Sequence, residues 1–175
     1  YAPLPFPFAD GKFFTPSGRV EFYSEVALKL PRLNGYKGPY PFDALPVFRE
    51  PEKSNKHEGK NPLILITPKT GFTSQSTFGN FPWMYQVNPY HGEYLEMNPV
   101  DASARGIKEG DEVCVFNKRG KIRVRAVITQ VIKPGVVSRP SGFWDENANQ
   151  LTTDNVGYYG ECAIYHDAWV EVAKI

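Results

Sequence analysis

The chain has few cysteines and histidines, which leaves little material for a metal site or a disulfide framework. It contains Cys114 and Cys162, and three histidines, His57, His91 and His166, within 175 residues. The two cysteines are too far apart for a zinc knuckle. The histidines lack the His-Glu-x-x-His spacing, and neither a glycine-rich phosphate loop nor a Gly-x-Ser-x-Gly elbow is present. We therefore predict no catalytic residue and no metal ligand in this chain.

The chain also lacks an excess of charge and a long apolar run. Twenty basic and 19 acidic residues leave a net charge of +1, too little to attract nucleic acid. No apolar stretch approaches the roughly 20 residues of a membrane-spanning helix, and no signal peptide is visible. We expect no nucleic-acid partner and no direct membrane insertion. The first residue is Tyr1, so we interpret the chain as part of a longer protein.

Residues 1–60 are predicted to be an extended, irregular segment that links to an upstream domain. Prolines recur through this region and oppose continuous helices and central strands. Val20 and Phe22 alternate with charged neighbours, which predicts a short strand. Ser24 can cap a helix from Glu25 to about Leu30. The proline-containing run from 33 to 60 predicts an irregular connector.

Residues 61–175 show the pattern of a compact, mainly β domain. Short strands separated by turns, with one or two short helices between them, favour a small barrel. Asn98 and Pro99 predict the start of a short helix that ends near Gly106. Cys114 lies in an alternating stretch and is predicted to be a buried structural thiol. The predicted strands are 63–67, 94–97, 113–116, 121–129, 136–137 and 168–173.

Two polar, turn-rich stretches directly follow predicted strands, at 67–77 and 139–155. Their hydroxyls, amides and backbone N–H groups can hydrogen-bond a flat polar heterocycle and its phosphates. Lys69 can face a phosphate as a point charge, while Gly71 and Gly142 allow a ligand close to the backbone. Composition alone equally fits two ordinary surface loops, so both interpretations stay open at this point.

Several motifs resemble a known family, and they occur in the expected order along most of the chain. They are FFTPSGRVEFYS at 13–24, LITPK at 65–69, MNPVDASARGIKEGDEV at 97–113, NKRG at 117–120, PGVV at 134–137 and NQLT at 149–152. Ser76-Thr77 with Asn80 and Trp83 belongs to the same series. Together these motifs resemble the C-terminal molybdopterin dinucleotide-binding domain of the dimethyl sulfoxide reductase family of molybdopterin oxidoreductases.

The resemblance implies a double-psi β-barrel, from about residue 61 to residue 175, that binds a bis(molybdopterin guanine dinucleotide) cofactor carrying molybdenum or tungsten. The domain closes a site formed by upstream domains of the same polypeptide and is not catalytic by itself. Any iron–sulfur cluster and the protein ligand of the metal belong upstream. Iron–sulfur and membrane-anchor subunits are further partners in this family. The motifs lean towards sulfoxide-, polysulfide- or thiosulfate-reductase-like members, which work in anaerobic respiration.

The resemblance also implies which residues contact the cofactor. The relatives commonly carry a histidine beside serine where this chain has Gln75 and Ser76, and glutamine cannot titrate. Within the 97–113 motif, the role from Asn98 to Asp111 is expected to be structural. The implied cofactor-binding residues are Thr67, Lys69, Thr70, Gly71, Gln75, Ser76, Thr77, Gly142, Phe143, Trp144, Asn149 and Asn155.

Other classes remain open from the residues alone. A stand-alone barrel that binds a nucleotide or a partner protein would need no pterin and would begin close to Tyr1. A small barrel enzyme would need a converging acid, base or nucleophile, which the scattered histidines do not supply. The compartment stays undecided between the cytoplasm and export to the periplasm or cell surface of a prokaryote.

Overall fold

The computed structural model describes residues 7–29, 44–47, 62–79, 81–87, 93–154, 162–163, 165 and 168–175. The chain divides into two compact units, Tyr1–Glu50 and Pro51–Ile175. The predicted contact at Asn155, the three histidines and most of the predicted connector lie outside the described residues. No helix within the described ranges is long and apolar enough to cross a bilayer.

In the described part of the first unit, residues Glu25–Lys29 form a short helix, α1. Ser24 Oγ accepts a hydrogen bond from the backbone N of Ala27 at 3.2 Å, which confirms the predicted cap. The predicted strand at Val20 to Phe22 is wrong, since residues 7–29 and 44–47 include no strand. The chain turns at Gly18, whose N–H donates to the Thr15 carbonyl at 2.9 Å. Without a neighbouring strand, alternation alone cannot satisfy the backbone groups.

The second unit is a closed six-stranded barrel. Its strands are β1 Leu63–Ile66, β2 Tyr94–Met97, β3 Glu112–Phe116, β4 Lys121–Ile128, β5 Val136–Ser138 and β6 Ala168–Lys174. Around the barrel they follow the order β1-β5-β2-β4-β3-β6. The pairs β1/β5 and β2/β4 are parallel, and the other four are antiparallel. This architecture confirms the mainly β, double-psi barrel class.

The barrel interior is filled by buried residues from all six strands, which alternate along β1, β3, β4 and β6. In β4, Ile122, Val124 and Ala126 are buried, while the residues between them are exposed, as a period of two requires. Cys114 lies between the buried Val113 and Val115 and is only half-buried. The same alternation places it on the outer face, so the prediction of a buried thiol there is wrong.

Within its described residues, the second unit also has short helices: α2 at Pro82–Val87, α3 at Pro99–Ser103, and a 3₁₀ helix at Ala148–Gln150. Asn98 caps α3 as predicted, because its Oδ1 accepts from Val100 N at 2.9 Å. Its amide also donates to the Ile132 carbonyl at 2.7 Å. The helix stops at Ser103, and a turn follows to Gly106 (φ +65°). The motif around Asn98 therefore has the structural role that was expected. The sequence pattern predicted neither α2 nor the 3₁₀ helix.

Strand direction gathers the polar loops at one end of the barrel. Because β1 and β5 are parallel, the segments that follow Ile66 and Ser138 leave at the same end. The antiparallel pairing of β3 with β4 places the 117–120 turn there, with the start of β6 beside it. The α3 motif lies at the opposite end.

Candidate cofactor-binding site

Two polar loops leave β1 and β5 side by side. We call residues 67–79 the first loop and residues 139–154 the second loop. The N–H of Arg139 donates to the Ile66 carbonyl at 3.0 Å, and that of Ser141 donates to the Pro68 carbonyl at 2.9 Å. These bonds continue the parallel pairing beyond the last residues of both strands. The bases of the two loops are therefore held in a fixed register.

Beyond these bonds, the two loops come into contact again at Gly142, where only glycine fits. A Cβ at Gly142 would lie 2.2 Å from the carbonyl oxygen of Gln75, and Gly142 has φ +94°, a conformation that suits glycine. Close by, Trp144 Nε1 donates to the Ser76 carbonyl at 3.0 Å. Backbone contact and an indole hydrogen bond thus join the second loop to the tip of the first.

The first loop is shaped by its own hydroxyl groups. Thr70 Oγ1 lies 2.9 Å from Thr73 Oγ1 and accepts the Thr73 N–H at 3.2 Å. The Thr77 N–H and hydroxyl both donate to the Ser74 carbonyl, closing a turn with Gln75 at φ +57°. Local side-chain bonds of this kind fix turns without help from a sheet.

The structure brings eleven of the twelve predicted contact residues to this end of the barrel. Thr67 is 8% exposed and lies at the base of the first loop, directly after β1. The others form the accessible part of both loops. Exposed are Lys69, Gly71, Gln75, Ser76, Thr77, Trp144 and Asn149; half-buried are Thr70, Gly142 and Phe143. Nowhere in the described part of the chain do three His, Cys, Asp or Glu side chains cluster as a metal site requires.

The far part of the second loop is anchored by the 117–120 turn. The Asn117 amide donates to the carbonyls of Leu151 and Trp169 at 2.8 and 3.1 Å. A Cβ at Gly120 would lie 2.9 Å from the Gln150 carbonyl oxygen, so the two segments are in close contact. The sequence predicted this stretch as a hairpin turn and a family motif, without a part in the site.

Arg139 is a buried cation at the start of the second loop, and no local sequence pattern indicates its burial. It is 0% exposed. Its Nη2 donates to the Glu146 carbonyl at 3.0 Å, and the guanidinium lies 4.8 Å from the centre of the Phe143 ring. Burial lowers the pKa of Arg139 to about 10, an effect opposed by Glu93, Tyr94 and Glu146. The side chain is still charged at neutral pH.

A cluster of exposed aromatic rings lies at the end of the first loop and in the residues just after it. We call Phe78, Phe81 and Trp83 the aromatic patch; they are 44%, 41% and 53% exposed. Their rings follow one another at centroid distances of 5.8 and 6.2 Å. Contiguous exposed rings of this size are typical of surfaces that are covered in an assembly.

A closed barrel with two interlocked polar loops at one end presents a polar surface on which a ligand can bind. Its sequence matches the family described as "Molydopterin dinucleotide binding domain" over residues 63–169. Because the match covers more than half of the chain, the protein belongs to this family of molybdopterin dinucleotide-binding domains.

Individual relatives agree with this assignment. The chain is 29% identical over 172 residues to a putative catalytic chain of dimethyl sulfoxide reductase from Halobacterium salinarum, covering 93% of this chain and 20% of the relative. It is 33% identical over 135 residues to the dimethyl sulfoxide reductase DmsA of Haemophilus influenzae, covering 74% and 16%. The chain thus spans a fifth or less of these relatives.

The structure is similar to that of acetylene hydratase from Pelobacter acetylenicus. The TM-score is 0.74 at 20% identity, and the match covers 97% of this chain and 25% of the hydratase. At this identity the likeness concerns the fold alone. The resemblance to molybdopterin oxidoreductases of the dimethyl sulfoxide reductase family is confirmed, with this chain matching one domain of them.

Proposed function

We propose that the two loops bind the pterin and guanine-nucleotide parts of a bis(molybdopterin guanine dinucleotide) cofactor within a larger oxidoreductase. The observation that carries this proposal is the junction of the loops at Gly142 and Gln75. It unites residues 67 positions apart in sequence into one polar surface. The match to a dinucleotide-binding family supports a dinucleotide as the ligand of that surface.

The residues present fit such a group. A pterin and its phosphates require several hydrogen-bond donors and acceptors at fixed positions, and close backbone approach. The first loop offers the exposed side chains of Gln75, Ser76 and Thr77 and the backbone around Gly71. Lys69 is exposed on the same loop and supplies a positive charge for a phosphate. Trp144 and Asn149 add an exposed ring and an exposed amide on the second loop.

The metal–pterin group supplies the oxygen-atom or electron transfer when it is bound, while this chain orients the group and hydrogen-bonds it. Both relatives described above are named as dimethyl sulfoxide reductases. We propose that the parent protein is a sulfoxide-, polysulfide- or thiosulfate-reductase-like enzyme with molybdenum or tungsten. Its metal ligand, and any iron–sulfur cluster, would belong to upstream domains.

Those upstream domains are the partner we propose for the aromatic patch. The relatives are about five and six times as long as the parts that match this chain, so most of each relative lies outside the matched domain. Burial of Phe78, Phe81 and Trp83 against that remainder would remove three large exposed rings from water. Iron–sulfur and membrane-anchor subunits are more distant partners of such an enzyme.

A backbone-amide NMR titration with GDP tests the binding site. We expect weak binding, because upstream domains complete the pocket, with shifts concentrated in residues 67–77 and 139–154. Lys69→Met should weaken GDP binding roughly tenfold, on the order of 1.5 kcal/mol for one charge-assisted hydrogen bond. Lys133→Met is the matched control, since Lys133 is exposed before β5, at the opposite end of that strand.

Two results would contradict the proposal. Shifts confined to residues far from the two loops would place the ligand elsewhere. Equal effects of the Lys69 and Lys133 variants would show only a general attraction between GDP and positive charge. Sequencing the parent gene upstream of Tyr1 distinguishes a domain of a larger enzyme from a stand-alone barrel.

A further inference from the structure

Arg139 is a buried charge that the proposed cofactor contacts do not use. It stands at the point where β5 ends, and its backbone N–H is part of the pairing with Ile66. Burial of a guanidinium is unfavourable unless its donors are satisfied. The contacts of this side chain therefore indicate what it stabilises.

Those contacts fold the second loop around its own first residue. The side chain reaches forward seven positions to the carbonyl of Glu146. Its guanidinium also lies against the ring of Phe143, in the middle of the same stretch. The residues enclosed between these contacts include Gly142 and Trp144, which meet the tip of the first loop at Gln75 and Ser76.

The end of this stretch is tied to the barrel wall. Glu146 has φ +46°, and its Oε2 accepts a hydrogen bond from the backbone N of Arg123 at 2.5 Å. Arg123 belongs to β4. The path from Arg139 through Glu146 to β4 thus fixes both ends of residues 140–145.

We propose that Arg139 is a positioning residue that holds residues 140–145 in the shape that joins the two loops, and so prepares the ligand site before the ligand binds. A preorganised site avoids the cost of ordering a loop during binding. The lowered pKa of Arg139 shows that its burial is not favourable in itself, which agrees with a positional role. The inference that Arg139 prepares the ligand site rests on the proposed function, whereas the inference that it holds residues 140–145 in shape does not.

The test compares Arg139→Met and Arg139→Lys in the 175-residue chain, with Arg125→Met as the control. Arg125 is exposed on β4, so the same substitution there leaves the second loop alone. Three measurements are made on each variant: unfolding by urea, the ligand-free ¹H–¹⁵N spectrum, and titration with GDP. The indole N–H signal of Trp144 reports directly on its bond to Ser76.

We expect Arg139→Met to shift or broaden the Trp144 indole signal and the amide signals of 74–77 and 142–146. Its unfolding midpoint should fall below that of the Arg125 control, because the fully buried side chain loses its hydrogen bond to Glu146; the loop signals are therefore recorded without urea, where the variant is folded. GDP affinity should fall about tenfold if the competent loop conformation drops to a tenth of the population. Arg139→Lys keeps the positive charge and N–H donors, so its loop signals and its GDP affinity should change less than those of Arg139→Met. It also serves for the comparison if the methionine variant does not fold.

Unchanged loop signals in both Arg139 variants would overturn the positioning role, whatever happens to GDP. A lowered midpoint with unchanged loop signals would likewise show that Arg139 only stabilises the barrel. Altered loop signals with unchanged GDP affinity would separate the positioning role of Arg139 from the proposed ligand site. Arg139 would then position the loop, but the loops would not be the ligand site, and the proposed function would fail.

Discussion

Gly142→Ala tests the close contact between the two loops. A Cβ at this position would meet the Gln75 carbonyl oxygen at 2.2 Å and the Gln75 carbonyl carbon at 2.9 Å. Both are backbone atoms, so no side-chain rotation relieves the overlap. One loop must move by a large part of an ångström, or the contact must open.

The expected cost has two components. A side chain at φ +94° costs about 1–3 kcal/mol, and forcing an extra methyl group into packed surroundings costs about 1–3 kcal/mol more. We therefore expect a loss of roughly 2–6 kcal/mol in the free energy of unfolding. If the loops separate instead, the loss is smaller, and the Trp144 indole signal changes because its bond to Ser76 breaks.

Two other glycines separate these components in a urea-unfolding series. Gly135 has φ +85° with nothing within 4 Å of its added Cβ, so Gly135→Ala measures the backbone term alone. At Gly79 the added Cβ would have ordinary contacts of 3.7 and 3.9 Å, so Gly79→Ala should be nearly neutral. The reasoning is refuted if Gly142→Ala destabilises no more than Gly135→Ala and leaves the Trp144 signal in place.

Two further predictions concern the opposite end of the barrel. Asn98→Ala removes a helix cap and leaves the Ile132 carbonyl without its donor. Unfolding in urea should therefore show a loss of about 2–4 kcal/mol in the free energy of unfolding. An equal loss in Asn147→Ala, which removes an exposed cap, would contradict this. The Lys174 hydrogen bond is the largest cause that lowers the pKa of Asp111, and Lys174→Met should raise that pKa in an NMR titration. Because the folded pKa is the lower one, the bond stabilises the fold above the unfolded carboxyl pKa of about 3.9 and is lost as pH falls through the folded value. A stability difference between Lys174→Met and wild type that persists at pH 2 would contradict this assignment.

Much of the barrel could be predicted because its signals are local. The alternation in β4 and the Asn98–Pro99 helix start depend only on neighbouring residues, and both appear in the structure. The same rule failed at Val20 and Phe22, where alternation occurs without a partner strand. The alternation around Cys114 was also interpreted as a sign of burial, although the alternation in β3 puts Cys114 on the outer face.

The sequence predicted the type of site better than it predicted the residues that hold the two loops in place. Polar loops after strands, together with the family motifs, indicated residues 67–77 and 139–155. Arg139, in contrast, looks like any charged loop residue in the sequence, yet it is fully buried. Asn117 supports the second loop through carbonyls 34 and 52 positions away, and no local pattern encodes such a contact.

By itself, the sequence determined the short strands, the capped helix, the two polar loops and the family. Each depends on residue types at short spacing, where the chemistry of neighbouring side chains decides the outcome. The tertiary structure alone decided that β1 and β5 are parallel, and hence that both loops leave the same end. It also decided that Gly142 meets Gln75 and that Arg139 is buried, because barrel closure, not local preference, sets the distance between segments far apart in the chain.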